Sequence, residues 1–146
     1  MVEIRRFTRE DIPYLVNIEK ACFSEPWSEK SFETLFSGQN LGFVALVDGV
    51  VAAYVGLICV LDEGQITNVA THPDYRRRGL ARLLLRALDQ YSTENGIVLL
   101  SLEVREKNTA ARSLYESEGW QNAGLRKNFY MKPTDNAVVM IKHFER

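Results

Sequence analysis

Three consecutive arginines, Arg76, Arg77 and Arg78, lead into Gly79-Leu80-Ala81-Arg82. The run lies between a β-rich segment and a long stretch of helical apolar spacing, and that setting suits anion binding. The first turn of a helix leaves backbone N–H groups unpaired at the positive end of the helix dipole. Gly79 lets a ligand approach the backbone closely, Ala81 keeps the surface low, and the arginines supply charge that matches phosphate. Read alone, the run is only a solvated basic turn; the strand–turn–helix context favours the anion site. A Walker A loop would need a Gly-Lys-Ser/Thr ending and a dinucleotide fingerprint three spaced glycines. Neither is present.

A second constellation is Glu103 with Asn108 and Tyr115. Along Leu99–Arg105, Leu100, Leu102 and Val104 share one face, and Ser101, Glu103 and Arg105 share the other. A carboxylate near the end of an interior strand is costly unless paired or hydrated, so it can serve as a base. The competing reading is a surface glutamate on a half-exposed strand. Asn108 and Tyr115 are seven residues apart, which puts them within about 20° on a helix and about 10 Å apart along its axis. One extended ligand could touch both. Alternatively Asn108 is only a helix cap and Tyr115 only a core aromatic.

The elements that must position these residues follow from the pattern. Val2–Phe7 reads as a strand, and Thr8 with Asp11 resembles a helix-start box. The helix after it buries Ile12, Leu15, Ile18 and Cys22. Ser24-Glu25-Pro26-Trp27 breaks it, and Ser28 opens a second helix with Phe32, Leu35 and Phe36. Leu41–Val47 and Val50–Val60 form a hairpin about Asp48-Gly49. A strand over Gln65–Thr71 closes at Pro73. A long helix carries Leu80, Leu84, Leu88 and Tyr91 to a stop at Asn95-Gly96. Ile97–Val104 is a strand, Asn108 caps a helix ending at Gly119, and strands over Gln121–Phe129 and Asn136–Phe144 finish the chain. The order β-α-α-β-β-β-α-β-α-β-β predicts an α+β fold, with helices packed on a mixed sheet.

Composition narrows the function. The chain has 146 residues, the size of one domain, with no linker or repeat. Eighteen Lys+Arg against 19 Asp+Glu give a net charge of −1, which argues against a dedicated nucleic-acid or anionic-membrane binder. Two cysteines, Cys22 and Cys59, each in an apolar stretch, read as small core residues. Two histidines, His72 and His143, offer no metal-ligand spacing. The charged start VEIRRFTRE is unlike a signal peptide, and no apolar run reaches the ~20 residues of a membrane span. A metal-free cytoplasmic protein of one domain, 1–146, is expected.

The segment NVATHPDYRRRGLARLLL, Asn68–Leu85, resembles the acetyl-CoA motif of the GNAT N-acetyltransferases. Its core is an Arg or Gln, two variable residues, Gly, one variable residue, then Gly or Ala; Arg76, Gly79 and Ala81 meet it. The element order is similar to the GNAT order along essentially the whole chain. LEVREKNTAARSLYESEGW (Leu102–Trp120), EPWSEKSF (Glu25–Phe32) and RKNFY followed by DNAVVM look like segments of the RimI-type ribosomal-protein alanine N-acetyltransferases.

The resemblance implies a GNAT fold, with a mixed, mostly antiparallel sheet of about six to seven strands flanked by about four helices. It implies acetyl-CoA as co-substrate and a protein N-terminus, that of a ribosomal protein, as acceptor. Val69, Ala70 and Thr71 would offer backbone groups to the pantetheine arm and thioester. Arg76, Arg77, Arg78, Gly79, Leu80, Ala81 and Arg82 would cradle the pyrophosphate, and Asn108 would bind pantetheine. Glu103 would be the general base through water and Tyr115 the general acid, with Trp27 and Tyr130 beside the acceptor. Two other readings stay open: a GNAT enzyme for a small amine such as a polyamine or antibiotic, and a non-catalytic acyl-CoA-binding module. Trp27 and the tail segments speak against the first, and the presence of both Glu103 and Tyr115 against the second.

Overall fold

The computed structural model describes residues 1–145. Its elements run β1 (Val2–Arg6), α1 (Ile12–Cys22), α2 (Glu29–Glu33), β2 (Leu41–Val47), β3 (Val50–Val60), β4 (Glu63–Thr71), α3 (Leu80–Glu94), β5 (Leu99–Arg105), α4 (Thr109–Ser117), β6 (Gln121–Met131) and β7 (Thr134–His143), with short 3-10 turns at Arg9–Asp11, Thr34–Phe36 and Pro73–Tyr75. Seven strands form one sheet in the order β1-β2-β3-β4-β5-β7-β6. All neighbours are antiparallel except β4 and β5. This is the expected α+β architecture, a mixed sheet with four α-helices.

Each sheet face has its own apolar core. Leu80, Leu84, Leu85 and Leu88 of α3 lie in one cluster with Val55, Leu57, Leu100, Leu102 and Tyr115. Ile12, Leu15 and Ile18 of α1 lie in the other with Phe32, Leu35, Tyr54 and Ala70.

Boundaries differ from the sequence expectation where local capping intervenes. Thr8 and Asp11 do form a box, with Asp11 Oδ2 accepting from the Thr8 amide at 2.8 Å, but it closes a 3-10 turn and α1 begins one residue later. Ile97 belongs to the stop of α3, not to β5. Gly96 takes a φ of +71°, and the Ile97 amide folds back onto the Ser92 carbonyl at 3.0 Å, a helix-terminating loop that needs a left-handed residue. The strand read over Gln65–Thr71 begins earlier, at Glu63, and the last two extend to Met131 and start at Thr134.

Two features of β4 open the sheet. β4 pairs with β5 over three residues only, Glu63–Gln65 against Leu99–Ser101. Just beyond, the β3–β4 register slips, so that Gly56 alone opposes both Thr67 and Asn68, between the pairs Val55–Val69 and Leu57–Ile66. Such a bulge bends its strand and sharpens the local twist, and it carries the rest of β4 away from β5. A Cβ built on Gly56 would lie 2.4 Å from Thr67 Oγ1 and 2.9 Å from Leu35 Cδ1, so the bulge requires glycine opposite it. Among the described residues no helix is long and apolar enough to cross a membrane.

Gly56→Ala overpacks this point. It should cost about 1–3 kcal/mol, read as a lower denaturation midpoint at unchanged m-value. An unaltered midpoint would show that the bulge has room to yield.

Candidate active site

The divergence of β4 from β5 leaves a cleft of about 870 Å³, walled by β4, β5, the start of α4, the α1–α2 loop and the β6–β7 hairpin. Hydrogen bonding in an antiparallel ladder alternates, so every second residue turns both its N–H and C=O away from its partner. The His72 amide donates to the Ala52 carbonyl at 2.8 Å, and Ala70 stands opposite Tyr54 in the same phase. Val69 and Thr71 therefore direct their backbone groups toward the open edge, and Ala70 directs its own toward β3. Cys22 Sγ accordingly reaches the Thr71 carbonyl at 3.2 Å. A ligand amide or thioester lying in the gap meets Val69 as the strand would meet a neighbour.

The arginine run forms an adjoining groove of about 220 Å³, lined by Thr71, Tyr75, Arg76, Arg77, Gly79, Leu80, Ala81, Arg82 and Leu114. Gly79 caps α3 with φ +74° and Arg77 sits at φ +66°. The first intrahelical bond runs from Leu83 to Gly79, so the amides of Leu80, Ala81 and Arg82 precede it and are the unpaired donors of the first turn. The arginines divide their work. Arg76 rests near Cys22 Sγ at 3.7 Å, and Arg78 stacks on the Tyr75 ring at 5.1 Å, outside the groove lining. Arg82 is paired with Glu118, which Arg86 also holds at 3.1 Å, so its guanidinium ties α3 to the end of α4.

Glu103 and Tyr115 reach the cleft from opposite elements. The Glu103 carboxylate accepts from Arg126 Nη1 at 2.7 Å and from Gln65 Nε2 at 3.3 Å. Tyr115 is buried but lines the cleft, and burial pushes its hydroxyl well above the usual tyrosine range. That hydroxyl therefore holds its proton more tightly than an exposed tyrosine. Asn108 caps α4 through Oδ1, which accepts from the Ala111 amide at 3.1 Å. Its amide nitrogen is thus the group left for a ligand.

The wall of the cleft formed by the α1–α2 loop and the β6–β7 hairpin has more order than its sequence suggested. Trp27 packs edge-on against Phe32 at 5.4 Å. Tyr130 lies under Arg105 at 4.3 Å, and the same guanidinium donates to the Pro133 and Lys132 carbonyls at 2.7 and 3.1 Å. Ser24 Oγ also bonds the Lys132 carbonyl, joining the α1–α2 loop to the hairpin across the cleft. Cys22, read as a core residue, is half-buried at the cleft edge, and burial pushes its thiol up, away from thiolate chemistry. Among the described residues no group of three or more His, Cys, Asp or Glu could hold a metal ion.

Sequence reasoning missed Arg126, whose pairing with Glu103 depends on β6 register, and Glu19. The latter leaves a trace: it stands seven residues after Ile12 and four after Leu15, at a core position of α1.

The acetyltransferase (GNAT) family profile matches residues 12–120. The chain belongs to the GNAT acetyltransferase family. The [ribosomal protein bS18]-alanine N-acetyltransferase of Escherichia coli (strain K12) is 40% identical over 134 residues, covering 89% of each chain. The enzyme of that name from Haemophilus influenzae (strain ATCC 51907 / DSM 11121 / KW20 / Rd) is 38% identical over 136 residues, covering 89% of this chain and 90% of the relative. The crystal structure of the ribosomal-protein-S18-alanine N-acetyltransferase from Escherichia coli superimposes with a TM-score of 0.94 at 36% identity, covering 100% of this chain and 96% of that one. GNAT acetyltransferases take their acetyl group from acetyl-CoA, and the groove and open strand edge are of the chemistry that a pyrophosphate and a pantetheine arm require.

Arg77→Ala should weaken coenzyme A binding by roughly tenfold at low salt, as expected for a lost charge-assisted phosphate contact, and Arg78→Ala by much less. Titration calorimetry at two salt concentrations reads both. Equal losses, or none, would remove the distinction drawn from the groove lining.

Proposed function

We propose that this chain transfers the acetyl group of acetyl-CoA to the N-terminal α-amine of a protein in the cytoplasm. The proposed acceptor is the N-terminal alanine of ribosomal protein bS18, the substrate named for the Escherichia coli relative. The observation that carries the reading is the arrangement of the cleft. An open strand edge for the thioester, a carboxylate from β5 and a protonated tyrosine from α4 all face one space.

The acceptor's α-amine has an ordinary pKa near 7.7–8.0, so freeing its lone pair at neutral pH costs little. Glu103 receives that proton through a water, and the half-buried carboxylate is held in place by Arg126 and Gln65. The amine nitrogen attacks the thioester carbon, forming the C–N bond. Charge gathers on the carbonyl oxygen, where a backbone N–H of the β4 edge at Val69 stabilises it. The C–S bond then breaks and the electron pair leaves on sulfur. Tyr115 donates to that thiolate. Burial makes the tyrosine a weak acid, but the same burial raises the proton affinity of a thiolate beside it. No covalent enzyme intermediate is needed. Trp27 and Tyr130 wall the acceptor side, and Asn108 meets the pantetheine arm through its amide nitrogen.

The test offers acetyl-CoA with three acceptors: an alanine-terminated peptide, the same peptide N-terminally blocked but containing lysine, and spermidine. Fragment mass spectra should place the acetyl group on the free α-amine alone; transfer only to lysine or spermidine would overturn the acceptor assignment. Glu103→Gln should lower kcat by about 10²–10⁴-fold with acetyl-CoA affinity intact, and a parallel loss of affinity would make Glu103 structural. Tyr115→Phe should also slow turnover, and unchanged kinetics would remove it as the acid.

A further inference from the structure

Glu19 is a fully buried carboxylate, and among the described residues no cation pairs with it. It accepts from the Trp27 backbone amide at 2.8 Å, from the Tyr54 hydroxyl, and from Asn68 Nδ2 at 3.2 and 3.4 Å. Those three donors come from separate parts of the fold: the α1–α2 loop, the interior strand β3, and the bulge of β4. A buried carboxylate is retained at a cost unless its bonds do something that an apolar residue cannot. Two of its partners, Trp27 and Asn68, line the cleft.

The Trp27 amide and the Asn68 NH2 group can only donate, so both need an oxygen opposite them. With Nδ2 turned to Glu19, the Asn68 carboxamide has its oxygen on the other side, and no donor among the described residues meets it. We infer that Glu19 is a positioning residue for the acceptor. It docks the Trp27 loop onto the β4 bulge and fixes the Asn68 amide so that Oδ1 faces the cleft to accept an N–H of the incoming amine. A neutral amide oxygen orients an amine while leaving its lone pair free to attack. The inference rests on the acetyl-transfer reading above.

Glutamine at position 19 keeps the volume but brings an NH2 group against a donor. The simplest relief is a flip of Asn68, which turns its own NH2 toward the cleft, where it opposes the amine. Glu19→Gln should therefore raise KM for an alanine-terminated peptide by roughly tenfold while KM for acetyl-CoA stays within about twofold. Adding Asn68→Asp should restore the peptide KM, because a carboxylate there accepts from the introduced carboxamide and still presents an oxygen to the cleft. Asn68→Ala, which leaves the buried carboxylate intact, should give a similar peptide-specific rise and decides the matter if Glu19→Gln does not fold.

A peptide KM unchanged in the folded variant would overturn the inference. So would a uniform shift of kcat and both KM values that Asn68→Asp does not rescue. A wild-type protein inactive on the peptide removes the acetyl-transfer reading and this role with it; an active wild type with an indifferent Glu19→Gln removes this role alone.

Discussion

Everything at the cleft depends on how briefly two parallel strands stay together. β4 and β5 share only three registered positions, Glu63–Gln65 with Leu99–Ser101. A sheet that separates in its middle normally leaves unpaired N–H and C=O groups, each costly if buried without a partner. Under the proposed acetyl transfer the unpaired edge is put to use, since a ligand with alternating amide groups can take the place of the missing strand. The bulge at Thr67-Asn68, opposite a glycine with no space for a side chain, forces the separation and sets its angle. The catalytic candidates need no unusual backbone of their own: Glu103 stays in regular β5 and Tyr115 in regular α4.

Around that opening the protein uses polar contacts to hold its walls. Arg105 fixes the β6–β7 hairpin through two carbonyls and the Tyr130 ring. Arg82 and Arg86 converge on Glu118 and bind α4 to α3. Glu19 gathers the opposite wall. The walls of the cleft are thus tied down from three directions, which limits the reorganisation that ligand binding must drive.

How far the sequence reveals this depends on range. The Arg76-to-Arg82 turn was readable because helix-start chemistry is local, and the two-residue alternation of Leu99–Arg105 put Glu103 opposite the apolar face of β5. Asn95-Gly96 marked the end of α3, although the loop it makes takes Ile97 out of the strand. The splay of β4 was not readable, because it follows from Gly56 meeting two residues of the next strand, which begins only at Glu63. The Arg126–Glu103 pair was hidden for the same reason, since β6 reaches β7 with register shifts at Asn122/Gly124 and Arg126/Tyr130. Glu19 disturbs the apolar stripe of α1, yet nothing in that stripe names Tyr54 or Asn68 as its partners.

Those shifts in β6 have a consequence for the outer boundary of the sheet. β6 is an edge strand, exposed along nearly its whole length, and a long edge of this kind ordinarily invites another chain to zip alongside it. Two interruptions of the ladder, at Asn122/Gly124 and at Arg126/Tyr130, the second spanning Lys127, put its outward amides out of phase with any straight partner. Such an edge resists extension of the sheet by a straight strand.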